Sequence, residues 1–218
     1  MFSIAVFFKG LFAVLLAYGV GSIPCGYLIG KFNGMDIRRY GSRNIGATNV
    51  RRVLGRDWGI MCFVLDFLKG LLPVLFACWL DGGDSTSHGY IPILAAAATV
   101  AGHIWPFTLK FKGGKGVATT IGALLALAPW PILITLLTWC AVFYLSRYVS
   151  LASLSAALML PCSAVVIRLF RGTLPSWPTI VLLAALAALI IVRHRSNLIR
   201  LWQKTEYRFQ PKKKTQSK

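Results

Sequence analysis

Residues 41–52 read G-S-R-N-I-G-A-T-N-V-R-R, set between the apolar runs FAVLLAYGVGSIPCGYLIG and WGIMCFVLDFLKGLLPVLFACWL. Gly41, Gly46 and the small Ala47 allow tight backbone turns. Ser42, Asn44, Thr48 and Asn49 supply neutral donors, and Arg52 can make paired hydrogen bonds to phosphate oxygens. A plain polar turn with topological arginines accounts for part of the pattern. The density of donors fits a site that holds an anion.

Three further polar groups interrupt the apolar sequence. F-K-G-G-K-G at 111–116 is followed by Thr119 and Thr120. Gly113, Gly114 and Gly116 free successive amides to line a concave anion site, with Lys115 as the point charge. A helix starting after Gly116 adds its positive end. A Walker loop is excluded, because Leu109 stands where its first glycine belongs and Gly116 where Ser or Thr should follow the lysine. His103, just upstream in G-H-I-W-P, is expected to cap structure rather than act as a base. R-H-R-S-N at 193–197 puts His194 and Asn197 three apart, on one helical face. Both can donate to a phosphoryl or carbonyl oxygen, while Arg193 and Arg195 read as interfacial anchors. Asp66 and Lys69 lie within an apolar run, where ionisable groups are costly. At i,i+3 they are expected to pair. Glu206, in a basic segment, answers an arginine or a helix end.

What is missing narrows the chemistry. The positions five after His88, His103 and His194 are Ile93, Thr108 and Ile199, so there is no H-x-x-x-x-D. No Ser-His-Asp pattern is legible. With only six acidic residues, no metal-ligand cluster forms, and no cofactor is implied. The five cysteines, Cys25, Cys62, Cys78, Cys140 and Cys162, all lie in apolar runs and none form C-x-x-C. They give neither a disulfide framework nor a zinc site. Acid–base machinery is thin and anion-binding machinery dense, which points to phosphorylated substrates handled by positioning and charge stabilisation.

These groups need elements to hold them. The 218 residues are 56% hydrophobic and 14% charged, against roughly 45–50% and about 25% in soluble domains. Apolar runs fall at 4–30, 54–80, 90–106, 115–129, 131–149, 150–170 and 177–193, each at or near the roughly 20 residues that cross a hydrocarbon core. The expected fold is an all-α integral membrane protein, a bundle of about seven transmembrane helices. Residues 1–206 form the membrane domain and 207–218 a basic, disordered cytoplasmic tail. Continuous apolar runs without strict alternation argue against a barrel. Pro24 is expected to kink or break the first helix. No A-x-A-like site follows that run, so it is expected to be an uncleaved span rather than a signal peptide.

A formal charge of +18 would suggest nucleic acid in a soluble protein. Here the positive-inside rule explains it. Loop 31–56 holds Lys31, Arg38, Arg39, Arg43, Arg51, Arg52 and Arg56; loop 81–89 has no Lys or Arg. The loop near 107–115 holds Lys110, Lys112 and Lys115, the Pro129–Pro131 turn none, and the loop near 146–150 holds Arg147. The segment from Arg193 onward holds nine. Only Arg168 and Arg171 break the alternation. The N-terminus is therefore expected outside, with the polar groups and the C-terminus in the cytoplasm. Lys212–Lys214 are expected near anionic headgroups, and His88 is expected to be a solvated loop residue.

Taken in order, these motifs make the chain resemble the bacterial PlsY-type acyl-phosphate:glycerol-3-phosphate acyltransferases. The matching stretches are GSIPCGYLIG (21–30), DIRRYGSRNIGATNVRRVLG (36–55), LDFLKG (65–70), GHIWPFTLKFKGGKGVATTIGALL (102–125), SLASLSAA (150–157) and RHRSNLIRL with Thr205-Glu206 (193–206). The resemblance implies a seven-helix domain of the bacterial inner membrane with its active site facing the cytoplasm. It also implies transfer of a fatty acyl group from acyl phosphate to the 1-hydroxyl of glycerol 3-phosphate, giving lysophosphatidate and phosphate, which begins phospholipid synthesis. Partners are then acyl phosphate, glycerol 3-phosphate, membrane lipid and the soluble enzyme that makes acyl phosphate, with no nucleic acid. Carried over by position, the essential serine and arginine match Ser42 and Arg52. The glycerol-phosphate motif matches Gly113, Gly114, Lys115 and Gly116. The family's histidine and asparagine match His194 and Asn197, and Glu206 matches a structural glutamate.

Two positions depart from the family pattern. Arg43 stands where that pattern has glycine in G-S-G-N, and Lys204 where glycine usually precedes T-E. The first puts the local backbone in question, because glycine adopts positive φ freely and arginine does not. The second is expected to be harmless in a mobile segment. The runner-up function is a membrane transporter for an organic phosphate. Many transporters carry internal repeats, and no repeat period is visible here.

Overall fold

The computed structural model describes residues 4–82, 89–172 and 174–209. His88, the 210–218 part of the expected tail and its Lys212–Lys214 lie outside them. Among the described residues ten α-helices run α1 (Ile4–Gly21), α2 (Cys25–Phe32), α3 (Ala47–Leu54), α4 (Arg56–Leu80), α5 (Tyr90–Ile104), α6 (Val117–Leu125), α7 (Pro129–Ser146), α8 (Val149–Arg171), α9 (Trp177–Arg193) and α10 (Arg195–Trp202). Among the described residues there is no strand. Five helical segments among the described residues are long and apolar enough to cross a membrane, or six if α9 and α10, bent by 55° at His194, count as one.

The run expected at 115–129 does not make a full span. Gly116, at φ +84°, delays the start of α6, and the chain turns again before Pro129. Nine residues rise about 14 Å, roughly half of a hydrocarbon core. This short helix is sheltered inside the bundle, with Thr119 and Thr120 buried.

Pro24 acts as expected, separating α1 from α2. Such a break strands backbone carbonyls where lipid offers no donors. Two side chains answer them. Lys69 Nζ of α4 donates to the Ile23 carbonyl at 2.7 Å, and Thr108 Oγ1 donates to the Ser22 carbonyl at 2.8 Å. Lys69 also pairs with Asp66 at 2.8 Å, both side chains nearly fully buried. The expected i,i+3 pair is present and doubles as a brace for the broken first span. His103 closes the group, its Nδ1 3.5 Å from Asp66 Oδ1.

Two pairs of glycines bring helices into backbone contact. A Cβ on Gly21 would strike the Thr99 carbonyl, and one on Gly102 the Tyr18 carbonyl, so α1 and α5 cross at these glycines. Gly70 and Gly122 do the same for α4 and α6, against the carbonyls of Thr119 and Phe67. In lipid, where apolar burial does little to drive association, such close packing supplies the attraction. The main apolar core lies among α4–α9, around Val74, Val100, Ile104, Leu124, Leu160 and Leu183. A smaller cluster of Ile29, Ile37, Ile45, Val50 and Cys62 seats the 33–55 loop on α4.

The loops gather at two ends. Segments 33–55, 105–116, 147–149 and 193–209 meet at one end through contacts described below. At the other end the Arg171 guanidinium lies 5.2 Å from the Trp130 ring, and Arg168 lies 4.8 Å from Trp177 while donating to the Pro175 carbonyl. The two arginines that break the charge alternation are thus held on aromatic faces, a favourable placement for a cation.

Candidate active site

The 41–52 loop is built around one side chain. Asn49, 2% exposed, donates from Nδ2 to the carbonyls of Asn44 at 2.8 Å, Tyr40 at 3.1 Å and Ile37 at 3.3 Å. Its Oδ1 accepts from the Ser42 amide at 2.8 Å. Gly41, at φ +58°, lies so close that a Cβ would collide with that oxygen. Asn44 Oδ1 accepts from the Gly46 amide at 2.8 Å and fixes the turn into α3. Asn49, expected to bind phosphate, is therefore spent on the loop's own backbone: its donors are occupied and it acts as scaffold. Gly46 likewise serves the turn. Thr48 sits exposed on α3, away from the cavity described below.

The glycine-rich loop is divided. The amides of Gly113 and Gly114 donate to the Ile104 and His103 carbonyls, each at 3.1 Å. They satisfy the last carbonyls of α5, so they are not the free anion-binding amides expected of them. Neither glycine has room for a side chain: a Cβ on Gly113 would strike the His103 carbonyl, and one on Gly114 the His103 ring at Nε2. His103, buried beside Asp66, thus backs the loop, in keeping with a structural role. From the far side Arg193 donates to both glycine carbonyls, at 3.1–3.4 Å. The interfacial anchor of the sequence reading is a loop clamp. Lys115 and Gly116 complete the turn, and Gly116 leads into α6.

The clamped loop delivers Lys115 to a polar chain. Its Nζ donates to Asn197 Oδ1. Asn197 Nδ2 donates to Glu206 Oε1 at 2.6 Å, Ser150 Oγ donates to the same oxygen at 3.0 Å, and Arg200 Nε donates to Glu206 Oε2 at 2.7 Å. Glu206 thereby ties α8, α10 and the C-terminal segment together. His194 is buried at the α9–α10 bend with Nδ1 2.8 Å from the Ile190 carbonyl. A carbonyl only accepts, so Nδ1 carries the proton and Nε2 keeps its lone pair.

Between these loops opens a cavity of about 340 Å³, lined by Lys115, Arg193, Arg195 and Arg200, by Ser42, Asn44 and Ser196, and by Val192. Among the described residues no carboxylate lines it. Burial pushes the Lys115 ammonium down to about 8, with Glu206 opposing and Arg200, Arg193 and Arg52 adding to the shift. Four cationic side chains and three small polar ones describe a receptor for phosphate groups. The cavity lies at the low end of small-molecule pockets, roughly 300–1,000 Å³.

The structure therefore brings together Ser42, Asn44, Lys115 and Asn197, with His194 buried behind them. Arg52 stands beside the cavity rather than in its lining, its guanidinium 4.0 Å from the Tyr207 ring centroid. Arg195, read from sequence as an interfacial anchor, lines the cavity, and Ser196, Arg200 and Ser150 were not singled out by sequence. Arg200 carried a usable signal, because it lies three after Asn197, on the same helical face. The expected tail boundary at 206 falls inside a packed segment: Tyr207 meets Arg52, and Phe209 meets Arg51 at 4.4 Å and Phe143 at 5.4 Å.

Comparison with known proteins adds a consistent picture. A family model described as glycerol-3-phosphate acyltransferase matches residues 11–204. The glycerol-3-phosphate acyltransferase of Aquifex aeolicus is 44% identical over 203 residues, covering 92% of this chain and all of that one. The Geobacter sulfurreducens protein of the same name is 42% identical over 202 residues, covering 91% and 97%. Crystal structures of PlsY (YgiH), an integral membrane glycerol 3-phosphate acyltransferase, superimpose with TM-scores of 0.83 for the glycerol 3-phosphate form and 0.80 for the lysophosphatidic acid form. Each is 40% identical and spans 92% of this chain.

Proposed function

The chain belongs to the glycerol-3-phosphate acyltransferase family, and we propose that it moves a fatty acyl group from an acyl phosphate to the 1-hydroxyl of glycerol 3-phosphate. The products are 1-acyl-glycerol 3-phosphate, that is lysophosphatidate, and inorganic phosphate. The observation that carries this reading is the cavity lined by Lys115, Arg193, Arg195 and Arg200, with no carboxylate from the described residues in its lining.

In this scheme the hydroxyl oxygen of glycerol 3-phosphate attacks the acyl carbonyl carbon. The carbon–oxygen bond to phosphate breaks, and the hydroxyl proton leaves with the departing phosphate. Phosphate is a good leaving group, so positioning and charge stabilisation suffice. Lys115, with Gly116 at the start of α6, grips the glycerol phosphate. Ser42 and Arg52 face the donor's phosphate. Asn197 orients the Lys115 ammonium, and Glu206 holds Asn197. His194 offers Nε2 as an acceptor for the other hydroxyl of glycerol 3-phosphate. The acyl chain lies among the helices or toward lipid. The basic end of the bundle faces the bacterial cytoplasm, with the N-terminus outside and the enzyme in the inner membrane. A soluble enzyme that makes acyl phosphate supplies the donor from that side.

The test is an assay of detergent-purified protein with glycerol 3-phosphate and either acyl phosphate or acyl-CoA. Lipid product from acyl phosphate is expected. Transfer from acyl-CoA alone would refute the donor assignment. An organic-phosphate transporter would give no product with either.

A further inference from the structure

Arg52 is held in an unusual way for a cation beside a phosphate site. Among the described residues it makes no ion pair. Its one hydrogen bond, from a terminal nitrogen to Asn49 Oδ1, is long at 3.4 Å, and that oxygen already accepts from the Ser42 amide. What covers the guanidinium is the Tyr207 ring, 4.0 Å away. An aromatic face takes the guanidinium's face and leaves its in-plane N–H edges unspent. A carboxylate would take those edges, as Glu206 takes the Nε of Arg200. Tyr207 is 50% exposed, yet its backbone is pinned on both sides. Glu206 before it accepts from Ser150, Asn197 and Arg200. Phe209 after it donates its amide to the Arg147 carbonyl at 2.8 Å and packs on Phe143 and Arg51.

We propose that Tyr207 is a positioning residue that holds the Arg52 guanidinium flat beside the cavity, with its donor edges kept for a phosphate group. The strap 205–209 thus couples the first polar loop to the Asn197–Glu206 chain. The proposal rests on the reading that Arg52 contacts a substrate phosphate.

The test compares Tyr207→Phe, Tyr207→Leu and Tyr207→Ala in the full chain, alone and combined with Arg52→Lys. Turnover is read as kcat/KM for acyl transfer, and phosphate affinity by calorimetric titration of inorganic phosphate into detergent-solubilised protein. Tyr207→Phe keeps the aromatic face and is expected to stay within about threefold of the parent. Tyr207→Leu and Tyr207→Ala are expected to lose about tenfold in both readouts. In the Arg52→Lys background, where the planar stack is already lost, the same substitutions should cost less than about threefold. Full activity and affinity in Tyr207→Leu would overturn the proposal. Equal losses in both backgrounds would also overturn it, since Tyr207 would then act through the strap and not through Arg52. The titration needs no turnover. A parent protein without transferase activity would end the functional reading while leaving the Tyr207–Arg52 coupling measurable.

Discussion

The two glycine-rich loops at the basic end look alike in sequence and are held in opposite ways. The 41–52 loop is organised by a side chain, with Asn49 gathering three carbonyls and one amide from beneath. The 113–116 loop is organised by its backbone, with two amides closing α5 and two carbonyls gripped by Arg193. Glycine alone therefore does not identify a phosphate cradle. In the first loop Gly41 makes room for Asn49; in the second, Gly113 and Gly114 make room for His103. What both loops leave exposed to the cavity is a small number of side chains, Ser42 and Asn44 from one and Lys115 from the other.

That contrast can be broken in a definite order. Lys115→Ala removes the one charge that the second loop delivers, and kcat/KM is expected to fall about 1,000-fold, the scale of losing a principal electrostatic contact. Next come two substitutions that disable one loop each, by about 100-fold for a misplacement near 1 Å. Asn49→Ala strands three loop carbonyls and should raise the KM for acyl phosphate. Gly114→Ala drives a methyl group into the His103 ring and should raise the KM for glycerol 3-phosphate. Steady-state kinetics with each substrate varied separates them; both acting on the same substrate would erase the distinction between the loops.

A smaller effect concerns pH. The Lys115 ammonium, pushed down to about 8 by burial, is charged below that pH and neutral above it. Phosphate binding through it is therefore present at low pH and lost as pH rises. The kcat/KM profile for glycerol 3-phosphate should turn down near pH 8 and fall about tenfold per unit beyond it. In Lys115→Arg, whose guanidinium stays charged, that limb should vanish. The smallest effect belongs to Arg43. It is exposed and holds φ +60°, a conformation that costs a side-chain-bearing residue about 1–2 kcal/mol. Arg43→Gly should raise thermal stability by an amount of that order and leave activity within about twofold. A tenfold loss of activity instead would give Arg43 a contact with substrate.

Much of this arrangement was legible from residue type and spacing. The broken first span followed from Pro24, the buried pair from Asp66 and Lys69, and the gathering of polar groups at one end from the charge alternation. Arg43, standing where glycine is usual, does take the positive φ that such a position allows glycine. Lys204, expected to be harmless in a mobile segment, likewise proves left-handed, at φ +57°. It ends α10 in a Schellman turn, with Thr205 N–H on the Arg200 carbonyl and Lys204 N–H on that of Leu201. That turn sends Glu206 back toward Asn197. Other features were hidden because they depend on partners far apart in sequence. Whether the Gly113 and Gly114 amides face a ligand or α5 is decided by the fold of His103–Gly113, not by the glycines. Arg193 reads as an anchor until the loop it clamps is seen, 79 residues away. The short α6 was hidden because hydropathy counts residues, whereas the left-handed turn at Gly116 sets where the helix begins and the turn before Pro129 where it ends.

The most direct test of the central claim is a stoichiometry. Purified protein given acyl phosphate and glycerol 3-phosphate should release inorganic phosphate and 1-acyl-glycerol 3-phosphate in a one-to-one ratio, and Lys115→Ala should suppress both together. Phosphate release without lipid product, or a Lys115→Ala protein that still makes both at the parental rate, would contradict it.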